Sequence, residues 1–137
     1  MLTKTFSLED CKYYNSNTVT SETSVAVSLP NEFEITWKGI RTGSGSMNYI
    51  KTKIGSTEKV IGCASSSGQN GIYNEATTNT AFPSTETLVT LKYENGTYTY
   101  SWGSVTLTTS SLGAMDTLSA LGGLNGGYVK EIKVKPL

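Results

Sequence analysis

Apolar and polar residues alternate along most of this chain in short runs, and the runs are punctuated by Gly, Asn, Ser and Pro. In "EFEITWK", Phe33, Ile35 and Trp37 share one face and Glu34, Thr36 and Lys38 the other, so a half-buried strand is expected with Trp37 in the core. In "MNYIKTKI", Ile50 and Ile54, with Asn48 and Thr52, oppose Met47, Tyr49, Lys51 and Lys53, which puts Tyr49 on the wetter side. Such runs recur about every eight to twelve residues, the spacing of an all-β sandwich or barrel. The predicted strands are Leu2–Phe6, Thr23–Leu29, Glu32–Arg41, Met47–Ile54, Lys59–Ala64, Ile72–Ala76, Glu86–Glu94, Thr97–Trp102, Val105–Thr109, Thr117–Leu121 and Tyr128–Lys135. Leu112, Met115, Leu118 and Leu121 lie three apart, which keeps a short helix open, although the glycines between 113 and 127 exclude a long one.

The clearest pattern is "LVTLKYENGTYTYSWG". Asn-Gly supplies the two positive φ angles of a type I′ turn, so Asn95 and Gly96 are placed at the turn. Register follows: Glu94 faces Thr97, Tyr93 faces Tyr98, Lys92 faces Thr99, Leu91 faces Tyr100, Thr90 faces Ser101 and Val89 faces Trp102. Tyr98, Tyr100 and Trp102 then share a face with Val89, Leu91 and Tyr93. Tyr100 and Trp102 are expected in the core, where their polar tips need partners. The Tyr93 and Tyr98 pair, nearest the turn, is expected to reach solvent. Asn95-Gly96-Thr97 is also formally a glycosylation acceptor, but the turn accounts for it.

Composition agrees with the pattern. Thr occurs 21 times and Ser 17 against six Ala in 137 residues, a balance that suits sheets better than helices. This length fits one domain able to bury a continuous core. Lys plus Arg and Asp plus Glu are equal at 11 each and form no block, so neither nucleic acid nor an anionic membrane is an expected partner. No apolar run approaches the ~20 residues that span a bilayer, and "MLTKTFSLED" has no signal-peptide pattern. A module cut from a longer protein would read the same. Cys11 and Cys63 are read as small hydrophobes with reduced thiols, although a bond between them would be worth about 4 kcal/mol in the chain-entropy model.

The chain has no His, which removes the commonest general base, serine-type and cysteine-type triads and most zinc sites. Paired carboxylates remain. Glu32 and Glu34 would project from one strand face about 7 Å apart, a hydrolytic alternative that competes with two simply solvated side chains. No cofactor is expected. Calcium would have to use Asp10 and loop carbonyls in a chain with two Asp, Asp10 and Asp116. "GSGSMN" lacks the pattern of a phosphate cradle.

Sugars in water are held by exposed aromatic faces with a few amides and carboxylates. "SSSGQNGIYNEATTN" offers that inventory as Gln69, Asn70, Tyr73, Asn74 and Glu75, with Tyr49 expected on an adjacent exposed face and Tyr13, Tyr14 and Asn15 as a second cluster. Tyr73 is expected to serve a ligand and contribute little to stability. The competing reading is polar loops with turn-forming Asn and packed Tyr rings.

The order of elements also resembles a known superfamily. "FSLEDCKYYN", "VSLPNEFEITWKG", "YIKTKIG", "LVTLKYENGTYTYSWG" and "LGGLNGGYVKEIKVKPL" together resemble the concanavalin A-like jelly roll over nearly the whole chain, without a signature motif. The likeness is to the laminin-G-type, non-enzymatic branch found in phage and viral tail proteins and prokaryotic surface proteins. It implies a sandwich of two antiparallel sheets with first and last strands adjacent. It further implies a carbohydrate-binding or receptor-binding adhesion module at a virion surface or outside the cell, with a glycan or cell-surface receptor as partner. The glucanase branch carries Glu-x-Asp-x-Glu on one strand, and "EFEIT" lacks the central Asp and the second catalytic Glu, so no enzyme is implied. No calcium ligands of the laminin-G type carry over. A structural or oligomerisation module of the parent protein is the alternative, with a glycan hydrolase behind it.

Overall fold

The computed structural model describes residues 11–137, which form twelve strands and no helix. The strands are β1 (Tyr13–Val19), β2 (Thr23–Ser28), β3 (Phe33–Ile40), β4 (Met47–Ile54), β5 (Thr57–Cys63), β6 (Asn70–Ile72), β7 (Ala76–Thr78), β8 (Thr87–Glu94), β9 (Thr97–Trp102), β10 (Val105–Thr109), β11 (Thr117–Leu124) and β12 (Tyr128–Pro136). They build two antiparallel six-stranded sheets: sheet A in the order β1-β12-β3-β8-β9-β10 and sheet B in the order β2-β11-β4-β5-β6-β7. Their inner faces interdigitate in one core that includes Phe33, Ile35, Trp37, Val89, Leu91 and Tyr100 from A and Ile50, Ile61, Ile72, Leu118 and Leu121 from B. The protein is an all-β sandwich. The predicted strand Leu2–Phe6 and the candidate ligand Asp10 lie outside the described residues.

The Asn-Gly hairpin forms in the expected register from Thr90↔Ser101 to Glu94↔Thr97, with Asn95 at φ 52° and Gly96 at φ 78°. Tyr100 and Trp102 are in the core as expected. Tyr98 departs from expectation: it is fully buried, and only Tyr93 is partly exposed. The cause is the segment before β11, which folds over the turn end of the hairpin. The Tyr98 hydroxyl donates to the Gly113 carbonyl at 2.8 Å and accepts from the Met115 amide at 2.7 Å.

Three other differences have local causes. β1 escapes the sequence pattern because its middle is polar and exposed, as an edge strand paired only with β12 allows. It also separates the second aromatic cluster: Tyr13 packs on the core, while Tyr14 carries the Lys133 ammonium 5.8 Å from its ring centre. Predicted strand Ile72–Ala76 is really a turn between β6 and β7, in which Asn74 takes φ 67° and the Glu75 amide bonds the Ile72 carbonyl. The three-residue spacing of Leu118 and Leu121 belongs to a strand, not a helix. A bulge between Leu118 and Ala120 inserts one residue, so both leucines face the core.

Two asparagines of sheet B supply the partners that the buried tips of Trp37, Tyr100 and Trp102 in sheet A require. Asn48 accepts from the Trp37 indole at 3.3 Å and donates to the Ile40 carbonyl at 3.1 Å. Asn70 accepts from the Trp102 indole at 2.7 Å and the Tyr100 hydroxyl at 3.1 Å, and donates to the Gly68 and Thr80 carbonyls. Such links between sheets satisfy groups that would otherwise be costly to bury.

Candidate functional site

On β4 the inward residues are Asn48, Ile50 and Thr52, so Met47, Tyr49 and Lys51 look out from sheet B. Reading across the sheet at Tyr49, the paired positions are Gly122 on β11, Tyr49 on β4, Gly62 on β5, Gly71 on β6 and Thr77 on β7. Three glycines in one row leave this outer face without side chains of its own at those positions. The Tyr49 ring occupies the space at Gly122. A Cβ on Gly122 would sit 2.2 Å from Cζ of Tyr49, so the phenol end of Tyr49 rests on Gly122. The Tyr73 amide bonds the Val60 carbonyl, and its hydroxyl accepts from the Ala64 amide at 2.9 Å and donates to the Gln69 carbonyl. Its ring therefore lies beside β5, between Val60 and Ala64.

Between the two rings lies an open pocket of about 330 Å³, lined by Met47, Tyr49, Lys51, Val60, Ala64 and Tyr73. The floor is apolar and the rim is charged. The Tyr49 hydroxyl donates to Glu22 at 2.8 Å, and Lys51 bridges Glu22 at 2.8 Å and Glu58 at 3.5 Å. The Lys51 hydrogen bond is the main reason that the Glu22 carboxyl is held below its ordinary value, with the Tyr49 bond next.

Of the residues expected to bind a ligand, the structure brings Tyr49 and Tyr73 together and disperses the others. Gln69 is partly exposed and does not line the pocket; its side chain donates to the Thr77 hydroxyl of β7 at 3.3 Å. Asn70 points the other way, into the core, where its oxygen meets the Tyr100 and Trp102 side chains. Its four hydrogen bonds are all spent inside the protein, which corrects its assignment to the site. Asn74 is the turn residue at positive φ. Glu75 pairs with Lys59 and accepts from Ser111 of the β10–β11 connection, so it links the two sheets rather than facing the pocket. Tyr73 is half-buried and tied to two backbone groups, so it contributes to stability more than expected. Met47, Lys51, Val60 and Ala64 were not singled out from the sequence; the outward parity of β4 was the available signal for Met47 and Lys51.

Glu32 and Glu34 do not reach this face. Glu32 precedes β3 and accepts the Asn95 amide at 2.7 Å, bracing the hairpin turn. Glu34 lies in register between Lys92 and Lys135 on sheet A. No group of three or more His, Cys, Asp or Glu that could hold a metal is present among the described residues. Cys11 and Cys63 are not joined in a disulfide, and burial raises the Cys63 thiol.

Burial lifts Tyr49 and Tyr98 to about 12, Tyr100 well above its ordinary value, and the bond to Glu86 lifts Tyr128 to about 12. Each favours the neutral phenol in the folded state. The stability they contribute is complete below the unfolded value of 10 and is lost as pH rises toward 12. Melting temperature is therefore expected to hold through neutral pH and fall steeply between those limits. Phenolate absorbance rising in step with unfolding would show the linkage; full ionisation near pH 10 in a folded protein would contradict it.

No protein-family model matches the chain, and no curated protein matches its sequence.

Proposed function

We propose that this protein is a non-enzymatic carbohydrate-binding or receptor-binding module that holds its ligand on the outer face of sheet B. The observation that carries the reading is the pair of tyrosine rings that line one pocket, Tyr49 bedded on Gly122 and Tyr73 tied by its hydroxyl to the Ala64 and Gln69 backbone. Flat rings fixed on backbone are suited to stacking against the apolar face of a pyranose, and a rim of ammonium and carboxylates suits its hydroxyls. The superfamily resemblance points the same way, and with it comes the proposal of a place on a virion tail or cell surface, within a larger protein that could set the oligomeric state.

Screening the folded monomer on a glycan array tests this reading, and Tyr73 variants locate the site. The Tyr73 hydroxyl is saturated by backbone groups, so Tyr73→Phe is expected to keep ligand affinity within about threefold while costing about 1 kcal/mol of stability. Tyr73→Ala removes the ring and is expected to weaken binding about tenfold. Unchanged affinity in Tyr73→Ala, with wild-type binding present, would place the ligand elsewhere. No binding by the wild type to any glycan would leave the structural-module alternative.

A further inference from the structure

Resting on that reading, we infer that the pocket selects a neutral N-acetylated hexosamine over plain, deoxy or acidic sugars. Which polar atoms still have hydrogen-bonding capacity decides this. The Tyr73 hydroxyl donates to Gln69 and accepts from Ala64, so that residue presents a ring face and no directed polar group. The Tyr49 hydroxyl spends its proton on Glu22 and keeps acceptor capacity. Lys51 has three N–H donors and two carboxylate neighbours, so one donor remains for a ligand acceptor at the pocket wall.

The apolar part of the wall stands beside that donor. Val60 lies directly across from Lys51 in the β4–β5 register, and Met47 and Ala64 continue the aliphatic lining. A sugar substituent suited to this corner offers a methyl group and a carbonyl oxygen together. An acetamido group does so: its methyl meets Val60, Met47 and Ala64, and its oxygen accepts from Lys51. Ring hydroxyls then donate to the outer oxygens of Glu22 and Glu58, and the ring's apolar face lies on a tyrosine. A 6-deoxy sugar supplies the methyl without the carbonyl. A sialic or uronic acid would bring a third carboxylate to an ammonium already shared by two, displacing one of them or standing beside it.

The pocket volume of about 330 Å³ is at the small end of ligand sites, which agrees with recognition of a chain end or a single residue.

The experiment compares binding of the full chain to immobilised conjugates of N-acetylglucosamine, glucose, fucose and N-acetylneuraminic acid. N-acetylglucosamine is expected to bind about tenfold more tightly than glucose or fucose, and the acidic sugar more weakly still. In Lys51→Met, checked for folding by its circular dichroism and melting temperature, N-acetylglucosamine is expected to lose more affinity than glucose, so that the preference between them falls to within about threefold. Equal or tighter binding of glucose, fucose or N-acetylneuraminic acid overturns the inference and leaves the carbohydrate-binding reading intact. A preference undiminished in Lys51→Met also overturns it. Absence of binding to every conjugate, and to the wider array, overturns both.

Discussion

Asn70→Leu is expected to lower the unfolding free energy by about 3 to 5 kcal/mol, the largest effect of any single polar substitution we anticipate. Leucine has the branching and heavy-atom count of asparagine and is bulkier, so no cavity is left and the loss comes chiefly from hydrogen bonding. The Asn70 oxygen takes the Trp102 indole proton at 2.7 Å and the Tyr100 hydroxyl at 3.1 Å, and its amide serves the Gly68 and Thr80 carbonyls at 3.1 and 3.0 Å. All three side chains are almost completely buried, so water cannot replace what is removed. Two donors and two acceptors lose their partner at once, and groups that share one partner are coupled. Tyr100→Phe removes a single donor and is expected to cost about 1 kcal/mol, which separates the network from general core damage. Urea unfolding should show the loss as a lower midpoint with an unchanged slope. A loss below about 1 kcal/mol in Asn70→Leu would mean that the network does not hold the sheets together.

Gly122→Ala is expected to abolish the Tyr49 seat while leaving stability within about 1 kcal/mol of wild type. The new Cβ would fall 2.2 Å from Cζ and 2.4 Å from Cε2 of Tyr49. Those atoms are the far end of a side chain, so the ring swings away and the backbone stays in place. Its bond to Glu22 is lost, and a ligand that stacks on Tyr49 is expected to bind about tenfold more weakly, although Gly122 itself does not line the pocket. Gly62→Ala gives the contrast. Gly62 has φ 124°, and its Cβ would meet the Asn48 carbonyl oxygen at 2.7 Å and the Tyr49 Cα at 2.8 Å. Backbone must move there, so that variant is expected to unfold early, whereas Gly122→Ala melts normally and binds poorly. Wild-type ligand affinity in folded Gly122→Ala would remove Tyr49 from the site.

Much of the sandwich was legible because its strands alternate sharply. Phe33, Ile35 and Trp37 are all fully buried, as their spacing requires, and Asn95-Gly96 sets a register that needs no tertiary information. The outward position of Tyr49 was legible for the same reason. What misled were residues whose spacing has two causes. Leu118 and Leu121 are three apart through a bulge, a device that sequence periodicity cannot tell from a helical turn. The polar stretch from Gln69 to Glu75 looked like one ligand-binding loop, yet it divides among a bond to β7, core, pocket ring, turn and ion pair.

Alternation with a period of two is a local property of an extended backbone, so the sequence by itself determined the sheet class, most strand positions, the hairpin register and which face of β4 meets water. Assigning polar side chains to the core or to the pocket depended on partners in other strands, which for Asn70 lie 30 and 32 residues away. Asn70 is buried because Tyr100 and Trp102 on the other sheet need its oxygen. Tyr49 and Tyr73 line one pocket because β4 pairs with β5 and the backbone of β5 and the following loop holds Tyr73 at both ends. Those are cross-strand and cross-sheet relations, and only the tertiary structure decides them, because long-range pairing brings together groups that no local pattern links.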